Sequence, residues 1–223
     1  MNGVIVSPPT INTVNTENML TLNTMSLRVK QTLDAWLKYG TVFLIYRLCT
    51  YYFFDCGNPG AVLFDPQSVQ LVLFILLGFT IYYMFVKPYI PINFQHPIIR
   101  NLTNDMLMFG TVLVSSHVLD MIFNGGAFFD KEWLKTASII LLAFATYDIV
   151  INPFIPFDKM NPTVRPMIYE WAKFGSFLVI FRLLQGRSVA DPKWILSVLF
   201  VLLGFAGYNL ITKKLVKVDL DVK

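Results

Sequence analysis

Charge is what this chain has least of. Asp, Glu, Lys and Arg make up 14% of its 223 residues, against 55% hydrophobic residues and a mean hydropathy of +0.57. A single soluble core cannot hide that much apolar surface, so the composition places the chain in a lipid bilayer. Histidine is scarcer still, with only His96 and His117, and the chain has no His-Glu-x-x-His, Cys-x-x-Cys, glycine-rich phosphate loop or Gly-x-Ser-x-Gly. That empty search argues against an enzyme, and no catalytic residue, metal ligand or cofactor is expected. Cysteine is limited to Cys49 and Cys56, which stand about two turns apart in or just beyond one apolar run, too far to bridge. A basic stripe with interleaved aromatics is missing too, so the net charge of +4 does not point to nucleic acid. Residues 1–26 lack the basic and apolar regions of a cleaved signal, and the first spanning helix is expected to act as the insertion signal.

What the chain does have is an internal echo. LLGFTIYYMFVKPYIP (Leu76 to Pro91) returns as LLAFATYDIVINPFIP (Leu141 to Pro156) and as LLGFAGYNLITKKLVK (Leu202 to Lys217). Each copy ends a unit that begins with an aromatic-glycine pair at Gly40, Gly110 or Gly175 and passes an aspartate at Asp65, Asp130 or Asp191. Seven residues after each glycine stands Arg47, His117 or Arg182, and four before it Trp36, Met106 or Trp171. Three after each aspartate come Ser68, Trp133 and Trp194, so all four tryptophans fall at the mouth of a span, where an indole prefers the headgroup region.

The expected fold is all-α and integral to a membrane, with six transmembrane helices arranged as three tandem hairpin repeats at about 36–91, 106–156 and 171–217. Residues 1–34 read as a polar N-terminal arm, 35–212 as the membrane domain and 213–223 as a charged tail. The apolar run Ala35 to Phe54 is long enough for one crossing. Asp65, Asp130 and Asp191 are expected to cap the even-numbered spans, two of them followed by proline at the first helical position. Tyr89 to Asn104 carries two prolines and reads as a surface loop, with the third span starting at Asp105 and the fifth near Ile168.

Six spans put both termini on one side. Twelve of the eighteen Lys and Arg residues fall there, four (Lys131, Lys135, Arg187 and Lys193) on the other, and Arg47 and Arg182 within spans. The positive-inside rule then makes the side of the termini cytoplasmic. The sequon Asn101-Leu102-Thr103 falls on that side and is expected to stay unmodified.

Ionisable groups inside spans are costly, which makes Arg47, His117, Asp120, Asp148 and Arg182 the candidate functional positions. The arginines can reach the interface by extending along their helices. His117 and Asp120, three apart, share a helix face and can satisfy each other. Asp148 has Tyr83 and Asn209 at its place in the other copies, and a polar contact between helices is its expected role. Gly78 and Gly204, with Ala143 between, read as sites of close helix packing.

The Thr/Asn-rich arm at Thr10 to Asn23 and the Asn152-Pro153-Phe154-Ile155-Pro156 loop, on a small six-span chain, resemble the multi-span proteins in the internal membranes of nucleocytoplasmic large DNA viruses. The resemblance implies a virion-membrane protein anchoring a capsid shell to lipid. The mitochondrial carriers share three hairpins, but their Pro-x-Asp/Glu-x-x-Lys/Arg signature is absent at Leu48 to Phe54 and Leu119 to Gly125. The function expected is structural or scaffolding, with lipid as the first partner and capsid or other membrane proteins touching residues 1–34 and 213–223. The alternative is a small transporter or channel for an ion or small solute.

Overall fold

In a computed structural model of the chain, the residues described are 27–55, 62–90, 92 and 94–216, and among them there is helix and no strand. The expected arm 1–26, the turn at 56–61 and the tail 217–223 lie outside them. Six long helices follow one another: α1 (Leu27–Thr50), α2 (Pro66–Ile81), α3 (Pro97–Asn124), α4 (Lys131–Thr146), α5 (Arg165–Leu184) and α6 (Pro192–Gly207), with a last short turn, α7 (Lys213–Val216). Four helical stretches are long and apolar enough to cross a membrane: Pro66–Val86, Pro97–Asn124, Lys131–Phe154 and Pro192–Thr212. The remaining two, α1 and α5, carry charges along their length, Lys38 and Arg47 in one and Glu170, Lys173 and Arg182 in the other.

Helix starts follow local chemistry. Asp65, Asp130 and Asp191 stand in extended conformation ahead of α2, α4 and α6, and their carboxylates accept from the N–H of Ser68, Glu132 and Lys193. Proline occupies the first turn of α2 and α6, where its missing N–H costs nothing. α3 and α5 end at Gly125 and Gly186, whose positive φ values of 78° and 68° turn the chain into the short hairpin connection. At their far ends α2, α4 and α6 each loosen into a five-residue π turn opening on tyrosine: Tyr82–Val86, Tyr147–Ile151 and Tyr208–Thr212. α1 ends in another, Tyr51–Asp55.

Three sequence-based boundaries need correction. α1 begins at Leu27, so 27–34 belong to the helix rather than to the polar arm; Arg28 and Lys30 sit at its exposed start. α3 begins at Pro97, eight residues before the expected span, because proline at the first helical position starts a helix as readily as it ends one. The charged tail also continues as helix through Val216.

Packing closes the bundle into a ring. Each helix lies against its chain neighbours, and α6 returns to lie along α1. The approach is closest at small residues. A Cβ on Gly78 of α2 would meet the Val112 Cα of α3 at 2.9 Å, and one on Gly204 of α6 would meet the Val42 Cα of α1 at 2.7 Å. Ala143 of α4 is wholly buried. Glycine lets these backbones touch, as helix pairs in lipid require. Gly40 and Gly110 have open space around them instead.

Six aromatic rings fill the centre. Tyr39 stacks on Phe79 at 4.3 Å between centroids, Phe109 on Phe144 at 3.9 Å and Phe174 on Phe205 at 4.4 Å, each pair joining the two helices of one hairpin. Edge-to-face contacts of 5.9 to 6.5 Å link the pairs, with Phe174 touching both Tyr39 and Phe109. Each such ring pair contributes about 0.5–1.5 kcal/mol beyond its area burial.

Candidate functional site

The aromatic layer divides the polar side chains into two groups. One lies toward the hairpin face, where the short connections after α1, α3 and α5 turn. The other lies toward the terminal face, where α1 begins and α6 ends.

On the hairpin face the three residues seven after Gly40, Gly110 and Gly175 each turn to their own connection. Arg47 donates through Nε to the Leu63 carbonyl at 3.0 Å and through Nη2 to the Val62 carbonyl at 3.1 Å, and its Nη2 lies 3.1 Å from the Asp65 carboxylate. Arg182 repeats the arrangement on the Ser188 carbonyl at 3.0 Å and on Asp191 at 3.1 Å, with Trp194 beneath its guanidinium. His117 stacks on Trp133 at 4.1 Å, and its Nε2 stands 3.2 Å from the Phe128 carbonyl. Asp120 accepts from Asn124 at 2.7 Å, so the expected His117–Asp120 pair is replaced by two separate satisfactions. Hydrogen bonds from Ser68, more than the nearby Arg47 charge, hold the Asp65 carboxyl below the usual carboxylate range. A cavity of about 390 Å³ opens beside His117, Asp120 and Asp130.

The terminal face holds what sequence reasoning missed. Lys38 of α1 reaches Glu170 of α5 at 2.7 Å, and the buried Lys173 of α5 pairs with the buried Asp105 of α3. Both lysines stand two residues before a glycine, and both acids stand five before the glycine of another unit. The third such combination is Met108 with Ala35, both buried in the apolar core. That complementarity was a readable signal: where lysine occurs, a carboxylate waits, and where methionine occurs, alanine does. The Lys173 ammonium also lies 5.5 to 5.9 Å from the ring centres of Phe109, Tyr169 and Phe144, which adds cation–π attraction.

The π-turn tyrosines tie the same layer across the bundle. Tyr82 donates to Asn104 of α3 at 2.9 Å, and Tyr208 donates to Asp34 of α1. The corresponding position on α5 is Tyr169, and the Tyr147 hydroxyl is buried with no partner among the described residues. Asp148, next to it, has no exposed surface, and neither of its oxygens receives a hydrogen bond from a described residue. The helix-to-helix polar contact expected of it is therefore not made by any donor. Trp36 and Trp171, both exposed, give their indole N–H to the Leu76 and Leu202 carbonyls of the next helix at 3.0 and 2.8 Å. An open cleft of about 710 Å³ on this face lies between the start of α3, the 152–158 segment and the start of α5, lined by Arg100, Asn152, Asp158 and Arg165 with Tyr169 and Glu170.

Arg47, His117 and Arg182 thus do not converge, and Asp148 lies beyond the aromatic layer from all three. Among the described residues no group of three or more His, Cys, Asp or Glu side chains is placed to hold a metal ion. No protein-family model, curated protein or solved structure matches the chain.

Proposed function

We propose that the chain is a non-enzymatic integral membrane protein with a structural or scaffolding role, made of three tandem hairpins that cross the bilayer six times with both termini in the cytoplasm. The single observation that carries this reading is the closed aromatic centre. Six rings fill the axis of the bundle, and Arg47, His117 and Arg182 each turn to their own connection on the hairpin face, so among the described residues an apolar layer separates them from the charged pairs of the terminal face. Six crossings are supported by lengths and charge pairing: α5 at 20 residues spans about 30 Å, and the ions that lower its hydropathy are matched across helices by Lys38 and Asp105. The tandem repeat is supported by equivalent residues making equivalent contacts, from the capping aspartates to the stacked ring pairs and the small residues of α2, α4 and α6.

In this role residues 1–34 and 213–223 are the parts that meet partners, and the setting we propose is the internal membrane of a virion, with the protein linking lipid to a capsid shell. The competing reading is a transporter or channel, and the buried Asp148 is the observation on its side. Reconstitution of the full chain into vesicles separates the two. Proton and alkali-cation flux equal to that of protein-free vesicles is the expected result, and flux above that background overturns the scaffolding reading. Co-fractionation of the intact chain with the capsid shell after detergent removal of lipid tests the partner assignment.

A further inference from the structure

One acid is left unexplained by the pairing on the terminal face. Asp148 sits in the π turn that follows α4, wholly buried, with no donor to either oxygen among the described residues. The titratable groups around it are Asp105 from α3, Lys173 and Tyr169 from α5, and its own neighbour Tyr147. Asp105 stands on α3, against which this turn packs, and its carboxyl is itself buried. Two ionised carboxylates are acceptors only, so no bond joins them unless one carries a proton. The charge count says the same. Lys173 brings one positive charge and Asp105 already takes it, while Lys38 is committed to Glu170. A second ionised carboxylate here is buried and uncompensated, the arrangement that a low-dielectric interior tolerates least.

The other two π turns point the same way. At the place of Asp148 stand Tyr83, whose hydroxyl donates to Met108 Sδ at 3.7 Å, and Asn209, whose amide donates to the Phe205 carbonyl at 3.0 Å. The position is filled by a donor in both, and aspartate donates only when protonated. We infer that Asp105 and Asp148 hold one proton between them in an O–H···O bond beneath Lys173, a proton-binding site that fastens the π turn of α4 to α3 and α5. The proton comes from water and returns to it; a cleft lined in part by Tyr169 and Glu170 opens on that face. Loss of the proton leaves two carboxylates facing one ammonium, and their repulsion falls on the turn that leads into the 152–158 wall of the cleft. The inference is independent of the scaffolding role.

Infrared spectroscopy of the full-length protein in lipid nanodiscs, with and without carboxyl-¹³C aspartate, reads the site directly. The expected result at neutral pH is a protonated-carboxyl C=O band that moves with the ¹³C label, shifts in D2O and disappears in Asp148→Asn. A folded wild-type protein with every aspartate ionised overturns the proposal, and so does a band that survives in Asp148→Asn. If the variant fails to fold, the labelled wild type still decides between a protonated aspartate and none. Replacing choline by sodium at constant pH is the second arm: an unchanged band supports a proton, and a band abolished by sodium overturns it in favour of an alkali-cation site.

Discussion

Lys38 and Glu170 show how a charge can be housed in an apolar helix. Their side chains are 20% and 13% exposed, so removing one leaves the other poorly solvated and unpaired. Lys38→Met is expected to destabilise the bundle by about 2–4 kcal/mol, somewhat below the full cost of breaking a buried pair because some water reaches both groups. The double change Lys38→Met with Glu170→Ala copies the Met108 and Ala35 combination already present and is expected to recover most of that loss. Unfolding in mixed micelles, taken through the double-mutant cycle, measures the coupling. Additive losses from the two single changes, with no recovery in the double, would sink the idea that the two kinds of pair are interchangeable. On the hairpin face the residue-scale expectation concerns acid. Asp65 is held below its ordinary range, so its contribution is present above the unfolded value of about 4 and is lost as pH falls through the lower folded value. Asp65→Asn should remove that component from a stability–pH profile, lowering its neutral plateau and leaving the acid end, where the carboxyl is already protonated, in place.

Between elements, the decisive quantities are backbone distance and one hydroxyl. A methyl group at Gly204 would meet the Val42 Cα, main chain that cannot rotate away, and overpacking of this kind costs about 1–3 kcal/mol. Gly204→Ala and Gly78→Ala are therefore expected to destabilise, while Gly40→Ala, in open space, should be neutral or stabilising. Thermal unfolding of the three variants in one detergent makes the comparison, and equal effects at all three would remove the close-packing account. The tyrosines of the π turns offer a second contrast. Tyr82→Phe and Tyr208→Phe each delete a hydroxyl bonded to the neighbouring helix and should cost about 1–2 kcal/mol, whereas Tyr147→Phe deletes one with no partner among the described residues and should cost nothing. A loss at Tyr147 as large as at Tyr208 would show that its hydroxyl has found an acceptor. Element starts and apolar runs were legible in the sequence because caps, prolines and hydropathy are local signals, as at Asp65-Pro66 and Asp191-Pro192. The start at Pro97 was misread for a local reason as well, since proline both ends and begins helices. The π turns carry no comparable mark. The Lys38–Glu170 pair was harder to see, because it joins residues 132 apart in sequence and emerges only when offsets from the glycines are compared across units.

At the scale of the molecule the proposed orientation rests on how the charges are distributed along the sequence, and the proposed scaffolding role on the aromatic centre. Twelve of the Lys and Arg residues belong to the side of the termini, while on the hairpin face Arg47 and Arg182 are bound to loop carbonyls and to Asp65 and Asp191. Two exposed phenylalanines sample the two faces: Phe129, 77% exposed ahead of α4, and Phe154, 83% exposed beyond its π turn. In a chain whose Cys49 and Cys56 are replaced by serine, Phe129→Cys is expected to react with a membrane-impermeant maleimide from outside intact cells, and Phe154→Cys only after permeabilisation. Anionic lipid and the insertion machinery hold a basic loop on the cytoplasmic side, and the twelve-to-four asymmetry leaves little competition from the other face. Labelling in the reverse order would invert the orientation and keep the crossing of α4. Equal labelling of both positions from outside would remove that crossing, and the six-span arrangement with it.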